Sequence, residues 1–362
     1  MKVLLLIPTA PPSVSGNATT AARWAAGLAG TEVDLRVVAT DGLDAPAVAR
    51  AVAEANPDLL HVYHAWKVGR LLASDEASAE RRRGGVTPPS AAALDVPWVV
   101  SIPGTDLSAD AEIPERRAFM RGVFDRARVL ITPSRAQLDR FAELYPELAP
   151  RVRIVPKGVS LETAPYHLRS HAGAAAGDVL FFTPAGIRPV KGIDIALEGM
   201  GVAAGRDARI RWAHAGPLLE EPYGRPLLER IAGSPWASAL GEIPPPRLAA
   251  ALRGADVLLN ASRAEGISNA ILEGMACGLP ILASDIPSNR EVVEAGVNGL
   301  LFRDPADLAE QAVRLAADPE LRRRLGEAGR RIAAERFSWE VERDALIRAY
   351  QDSMRSGNGD PA

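Results

Sequence analysis

The chain alternates, from one end to the other, between short apolar runs and longer stretches with helical spacing. Val3 to Ile7, Val33 to Val38, Leu59 to Val62, Trp98 to Ile102 and Val129 to Thr132 are rich in Val, Leu and Ile. Such runs are expected of strands buried on both faces. Thr20 to Leu28, Ala47 to Ala55, Glu115 to Arg126 and Ala136 to Leu144 lie between them and place apolar residues at helical intervals. Parallel strands need a crossover, usually a helix, so this order dictates a parallel sheet with helices on both faces. After Val152 to Val155 and Pro156 to Val159 the pattern lapses, and Ser160 to Gly177 holds Pro165 and a run of alanines. It resumes at Val179 to Phe182, Ile210 to Ala213, Ala237 to Leu240, Val257 to Leu259 and Ile281 to Ala283. A second parallel sheet follows, and 362 residues suffice for two such domains. The expected boundaries are 1–160 for the first domain and 161–337 for the second. A last helix is expected over 338–355 and a disordered tail over 356–362. Open parallel sheets bind ligands beyond the carboxyl ends of their strands, so two sheets facing each other would form one cleft.

Composition narrows the class of protein. A charged fraction of 24%, a net charge of -3 and an aromatic fraction of 5% give neither a basic footprint nor a stacking surface for nucleic acid. Cys277 is the single cysteine, which excludes an internal disulfide, and its place in an apolar helix reads as a small buried hydrophobe. Met1 to Ile7 is too short for a signal or membrane-spanning segment and is followed by Pro8. It is expected to be a buried first strand of a cytoplasmic protein. Arg81 to Arg83, flanked by Gly84, Gly85, Pro88 and Pro89, reads first as an exposed loop. Peripheral contact with anionic lipid is the second reading of those arginines. The sequence leaves both a monomer and a homodimer open.

The most informative local pattern runs from Glu265 to Glu273. Two carboxylates stand eight positions apart, with Gly266 to free the backbone, then Ser268 and Asn269 as residues suited to a helix start. Ile271, Leu272, Met275 and Ala276 supply the apolar stripe of the helix that follows. The unpaired amides of such a helix start, with their partial positive charge, bind phosphate without a basic side chain. Eight helical positions span about 12 Å, which suits a diphosphate with one carboxylate gripping hydroxyls at each end.

The segment from Asp256 to Phe302 resembles the donor-binding core of glycosyltransferase family 4. The likeness rests on Glu265 to Glu273 with Gly274, Met275 and Ala276, then Gly278 to Pro280 and Gly299 to Phe302. It implies the GT-B fold: two Rossmann-like α/β domains, an interdomain cleft and a C-terminal helix that crosses back to the first domain. It implies a retaining transferase (EC 2.4 type) using a nucleotide-diphosphate sugar. By this resemblance Glu265 meets the sugar and Glu273 the ribose, while Gly266, Ile267, Ser268, Asn269 and Ala270 form the diphosphate-binding turn. Lys191, followed by Gly192, matches the family lysine that neutralises the leaving diphosphate, and Arg188 stands for its arginine although it lies only three residues earlier. Gly216, after Ala213 to Ala215, matches a strand-ending glycine turn, and Leu240 to Pro244 the segment flanking the nucleobase.

In the first domain Gly16 follows the first strand, with Ser15 in place of a second family glycine. The loop lacks the three spaced glycines of a dinucleotide fingerprint, which argues against a nicotinamide enzyme. Gly16 is expected near the donor and Asn17 near the acceptor. His61 and His64 both follow the third strand, and His64, further out along the loop, is favoured as the family histidine lining the sugar site. Pro103, Gly104, Thr105 and Asp106 resemble the family's His-Gly-Ser/Thr-Asp turn with proline for histidine, and Asp106 is expected to orient an acceptor hydroxyl. No His, Cys, Asp and Glu cluster has metal-ligand spacing and no paired-aspartate motif occurs, so neither a cofactor nor a metal is expected. Ser15 to Ala18, Gly104 to Asp106, Ile187 to Lys191 and Ser338 to Asp344 further resemble the glycosyltransferase 1 domain-containing subgroup. The alternatives kept open are a GT-B nucleotide-sugar epimerase or hydrolase, and a nucleotide-sugar-binding protein without turnover.

Overall fold

The computed structural model describes residues 1–11, 16–72, 96–159, 161 and 164–355. Ser15, the arginines at 81–83 and the tail from Ser356 lie outside them. The chain forms two compact units, Met1–Gly158 with the segment from Trp339 onward, and Val159–Ser338.

The first unit is built on a parallel sheet of six strands, in the order β2-β1-β3-β4-β5-β6. These are β1 (Lys2–Ile7), β2 (Asp34–Ala39), β3 (Leu59–Tyr63), β4 (Trp98–Ser101), β5 (Val129–Thr132) and β6 (Val152–Ile154). The strand alternation sorts β1 onto two cores. Leu4 and Leu6 join Val48, Val52, Met120, Val123 and Phe141, whereas Val3, Leu5 and Ile7 join Ala21, Trp24, Leu346 and Tyr350. Helices α1 (Gly16–Leu28), α2 (Ala45–Ala55), α3 (Pro114–Arg126) and α4 (Arg135–Leu144) cover the sheet. Asp44 caps α2 by accepting from Ala47 N at 2.8 Å, and Ser134 caps α4 by accepting from Gln137 N at 3.2 Å. Helix α1 begins at Gly16 rather than at the expected Thr20, and within it the Thr20 hydroxyl donates to Gly16 O at 3.0 Å.

The last helix, Trp339–Arg355, packs within this first unit. Each buried Leu346 or Tyr350 contributes roughly 2 kcal/mol by apolar burial. Glu342, 2% exposed, accepts from Arg23 Nε at 2.6 Å, Arg23 Nη2 at 2.9 Å, Trp24 Nε1 at 2.8 Å and Gly158 N at 3.0 Å. His61 is a satisfied core histidine: Nδ1 meets Tyr350 Oη at 2.8 Å and Nε2 meets Ser101 Oγ at 2.7 Å. Burial pushes it down to about 3, so its ring is neutral.

The second unit carries another six-stranded parallel sheet, in the order β12-β11-β10-β7-β8-β9. Its strands are β7 (Val179–Pro184), β8 (Ile210–Ala215), β9 (Ala237–Ala239), β10 (Val257–Asn260), β11 (Ile281–Ser284) and β12 (Gly299–Phe302). The first strand of this unit lies between the second and the fourth, so the strand order reverses between β7 and β10. Helices α5 (Ile193–Arg206), α6 (Glu221–Ala232) and α9 (Pro305–Ala317) bury one face, α7 (Pro245–Arg253) and α8 (Asn269–Ala276) bury the other, and α10 (Pro319–Arg336) contributes Leu321 and Leu325 to the first core and Ala333 to the second. Trp212 Nε1 donates to Thr183 Oγ1 at 3.0 Å, and that hydroxyl donates to Leu259 O at 3.0 Å. This satisfies the buried polar atoms of three neighbouring strands.

Cys277 is the residue just past α8, not inside it, and is half-buried. Burial pushes its thiol up to about 11, which keeps it protonated and unreactive. No helix among the described residues is long and apolar enough to cross a membrane.

Candidate active site

The point where strand order reverses is where an open parallel sheet takes its ligand. In the second unit the loops leaving β7 and β10 flank that point. The β7 loop makes one tight turn over Pro189–Lys191 and reaches Gly192, whose backbone is left-handed at φ 61° and ψ 34°. A Cβ on Gly192 would stand 2.0 Å from Ala261 O, so only glycine lets the two loops meet this closely. Arg263 then ties them: its N donates to Val190 O at 2.8 Å, and Nη1 donates to Pro189 O at 2.6 Å. The same guanidinium grips Asp194 at 3.0 and 2.6 Å. Burial pushes Asp194 up, but the bonds from Arg263 and from Tyr223 Oη outweigh it and hold the carboxyl below its usual range.

So braced, Lys191 Nζ donates to Glu265 Oε1 at 2.5 Å, across 74 residues of sequence. The same oxygen accepts from Ser262 Oγ at 2.9 Å. Both side chains keep a face to solvent, 19% for Lys191 and 12% for Glu265. Arg188 is exposed on the same loop, and its guanidinium has no partner among the described residues.

Helix α8 starts at Asn269 with Ser268 extended before it, and no side chain caps it. The Ser268 hydroxyl is turned away and accepts from Asn260 Nδ2 at 3.2 Å. Its buried stripe is Ile271, Leu272 and Met275, with Ala276 partly buried beside them, as the apolar spacing predicts. Gly266, Asn269, Ala270 and Glu273 are partly exposed. Ile267 is 4% exposed and packs into the core, so its side chain is structural and only its backbone can face a ligand.

Gly216 ends β8 with φ 154°, and a Cβ there would stand 2.0 Å from Ala185 O, which seats this turn against the β7 loop. Its N donates to Gly241 O at 2.8 Å, joining the two segments expected around a nucleobase. His214 Nε2 donates to Ala185 O at 2.7 Å; burial, partly opposed by that carbonyl, lowers the ring to about 4 and keeps it neutral.

In the first unit the order reverses between β1 and β3, and the sequence-selected residues follow those strands. Gly16 and Asn17 open α1, Gly16 exposed and Asn17 half-buried. A Cβ on Gly16 would meet nothing within 4 Å, so local packing does not require glycine there. His64 and Asp106 lie in contact behind the turn that follows β3. Asp106 is fully buried, its carboxylate accepting from Ala65 N at 3.0 Å and Trp66 N at 3.4 Å and standing 2.5 Å from His64 Nδ1. It therefore braces the β3 turn. His64, 1% exposed, has its other nitrogen 2.7 Å from Thr105 Oγ1, so its ring is engaged on both sides. Sequence spacing missed this cluster because His64 and Thr105 are 41 residues apart.

Among the described residues, His64, Asp106 and Asp110 are the three side chains whose ligand atoms lie within 4.8 Å of one another. Their atoms already serve one another and Arg116, whose Nη1 donates to Asp110 Oδ1 at 2.7 Å, so a cation would have to displace these bonds.

Residues 177–318 match the family described as glycosyl transferases group 1. A glycosyltransferase 1 domain-containing protein 1 of Xenopus tropicalis is 26% identical over 270 residues, 73% of this chain and 78% of its own length. A D-inositol 3-phosphate glycosyltransferase of Streptomyces bingchenggensis is 32% identical over 269 residues, 68% of this chain but 58% of its own length. Among solved structures, Anabaena HepE in complex with UDP-glucose superposes with a TM-score of 0.76 at 18% identity, over 97% of this chain and 99% of that one. Sucrose-phosphate synthase from Thermosynechococcus elongatus gives 0.76 at 17% identity, over 98% and 99%. Residues 177–318 thus match a glycosyl transferases group 1 domain, and the fold is the two-sheet GT-B fold.

Proposed function

We propose that the protein is a retaining, metal-independent glycosyltransferase of the cytoplasm, which moves a sugar from a nucleotide-diphosphate sugar to a hydroxyl-bearing acceptor. The observation that carries this reading is the pairing of Lys191 with Glu265 at the reversal point of the second sheet, beside a helix start that no side chain caps. Uncapped amides and an ammonium converge on the same loops, which is the donor set a diphosphate needs. The carboxylate of Glu265 offers Lys191 an anionic oxygen, and a phosphate oxygen offers the same partner with more charge. When diphosphate takes Lys191, Glu265 is released toward the sugar hydroxyls.

Negative charge grows on the diphosphate as the bond to the sugar breaks. Lys191, the exposed Arg188 and the first-turn amides of α8 at Ser268, Asn269 and Ala270 oppose that charge where it develops. Glu273 is assigned to the ribose, and Gly216 with Gly241 to the base. The retaining and metal-independent character rests on the family 4 resemblance of Glu265 to Glu273. The acceptor is assigned to the first unit, where Gly16 and Asn17 open α1.

Replacing Lys191 or Glu265 with alanine should lower consumption of nucleotide sugar by about 100-fold or more, the scale of losing one charge-stabilising group. Circular dichroism should show both variants folded. Turnover within a few-fold of the parent would reject these assignments.

A further inference from the structure

Asn260 ends β10 and lies buried behind the loop that carries Glu265. Its amide reaches both ends of that loop: Oδ1 accepts from Ser262 N at 3.2 Å, and Nδ2 donates to Ser268 Oγ at 3.2 Å. A backbone N–H can only donate, so the bond from Ser262 fixes which way the amide is turned and leaves Nδ2 for Ser268. Both ends bear on the donor site. Ser262 Oγ donates to Glu265 Oε1 at 2.9 Å, and Ser268 is the extended residue before the first turn of α8. One side chain therefore sets the end that aims the carboxylate and the end that opens the row of helix amides.

A second layer holds Asn260 and Ser262 in turn. Asn289, in the short helix Pro287–Arg290, donates from Nδ2 to Ser284 O at 2.9 Å and stands 3.5 Å from Asn260 Oδ1. The same nitrogen is 3.1 Å from Ser284 Oγ, which donates to Ser262 O at 2.5 Å. The backbone of Ser262 is thus gripped at its N–H and at its carbonyl. Asn260, Ser262, Ser268, Ser284 and Asn289 are each no more than 8% exposed. Apolar side chains of the same shape would fill such a space at little or no cost in stability. What the polar network adds is one fixed arrangement of the loop in front of it.

We propose that Asn260 is a positioning residue of the donor site, holding Glu265 in place for the sugar and the first amides of α8 in place for the diphosphate. It acts through Ser262 and Ser268 rather than on the substrate, and Ser284 and Asn289 support it from behind. The proposal rests on the glycosyl-transfer reading of Lys191 and Glu265. Misplacing a charge-stabilising group by a fraction of its bond length lowers turnover even when the group itself is kept, so a buried amide out of reach of the substrate can govern the rate.

The test follows UDP-glucose consumption and amide hydrogen exchange on the full chain. Asn260→Leu, close in shape but without the amide, removes two hydrogen bonds and should lower kcat/KM by about 10-fold or more. Exchange over 262–268 should quicken by about 10-fold while β7 and β8 keep the parent rates. Ser268→Ala removes one of the two bonds through a smaller change, which covers the case in which Asn260→Leu does not fold, and should lower kcat/KM by about 5-fold. In a Glu265→Ala background Asn260→Leu should cost about 3-fold or less, because a carboxylate that is gone cannot be misplaced, whereas a general loss of stability would cost the same in both backgrounds. Parent rates and parent exchange in both variants, or an equal loss in the two backgrounds, would overturn the proposal. Failure of the glycosyl-transfer reading shows separately, as parent turnover in Glu265→Ala alone; exchange over 262–268 then still decides whether Asn260 holds the loop.

Discussion

Glu342→Ala removes a carboxylate that is 2% exposed and accepts four hydrogen bonds. The side chain of its cationic partner, Arg23, is 8% exposed. The variant strands that guanidinium in the interior together with the Trp24 ring N–H and the Gly158 amide. Breaking one side of a buried ion pair costs about 3–5 kcal/mol, because the remaining charge stays desolvated. With a urea dependence of roughly 2 kcal/mol/M, the midpoint for the first unit should fall by about 2 M. Amide hydrogen exchange at β1 and at the last helix, followed against urea, reads that unit alone. Arg23→Ala with Glu342→Ala should cost less than the sum of the single variants, since the double variant leaves no orphaned charge. A loss below about 1 kcal/mol for Glu342→Ala, or strict additivity in the double variant, would refute the reasoning.

Gly192→Ala should both destabilise the second unit by about 1–3 kcal/mol and weaken nucleotide binding, because φ 61° is strained and the new Cβ meets Ala261 O. Gly173→Ala, with φ 65° but nothing within 4 Å of its Cβ, is the control that carries the strain alone; equal effects in urea titration and nucleotide binding would contradict the close-approach argument. Acid should destabilise both units. His61 at about 3 and His214 at about 4 lie below the unfolded value of about 6.5, so the unfolded chain takes protons first. The stability from the neutral rings is complete above pH 6.5 and is lost as pH falls toward 4 and 3. By pH 5 each ring should cost about 2 kcal/mol, seen as a lower melting temperature, and a flat profile from pH 7 to 5 would contradict the burial argument.

The two sheets were legible because their strands are buried on both faces, which writes them as unbroken apolar runs. Ends were less so. Strand β12 was recognised as part of a motif and not as a strand, since Gly299 opens it. Helix α1 starts four residues before the apolar spacing shows it, since its first four residues place only Ala18 on the buried face. The boundary at Asp318 is readable, since that residue caps α10 through Leu321 N and is followed by Pro319. Lys191 and Glu265 could each be selected from the sequence, yet only the fold shows that they touch. His64 and Asp106 can likewise be picked out singly, but not their contact. Their burial depends on the pairing of β3 with β4, which no local pattern encodes.

The most direct measurement is a crystal structure of the protein with UDP-glucose, the molecule bound in the Anabaena relative. The account predicts diphosphate oxygens within hydrogen-bond distance of Lys191 Nζ and of the amides that open α8, with Glu265 parted from the lysine and turned to the sugar. A nucleotide bound elsewhere, or seated there with the Lys191 to Glu265 contact of 2.5 Å intact, would contradict it.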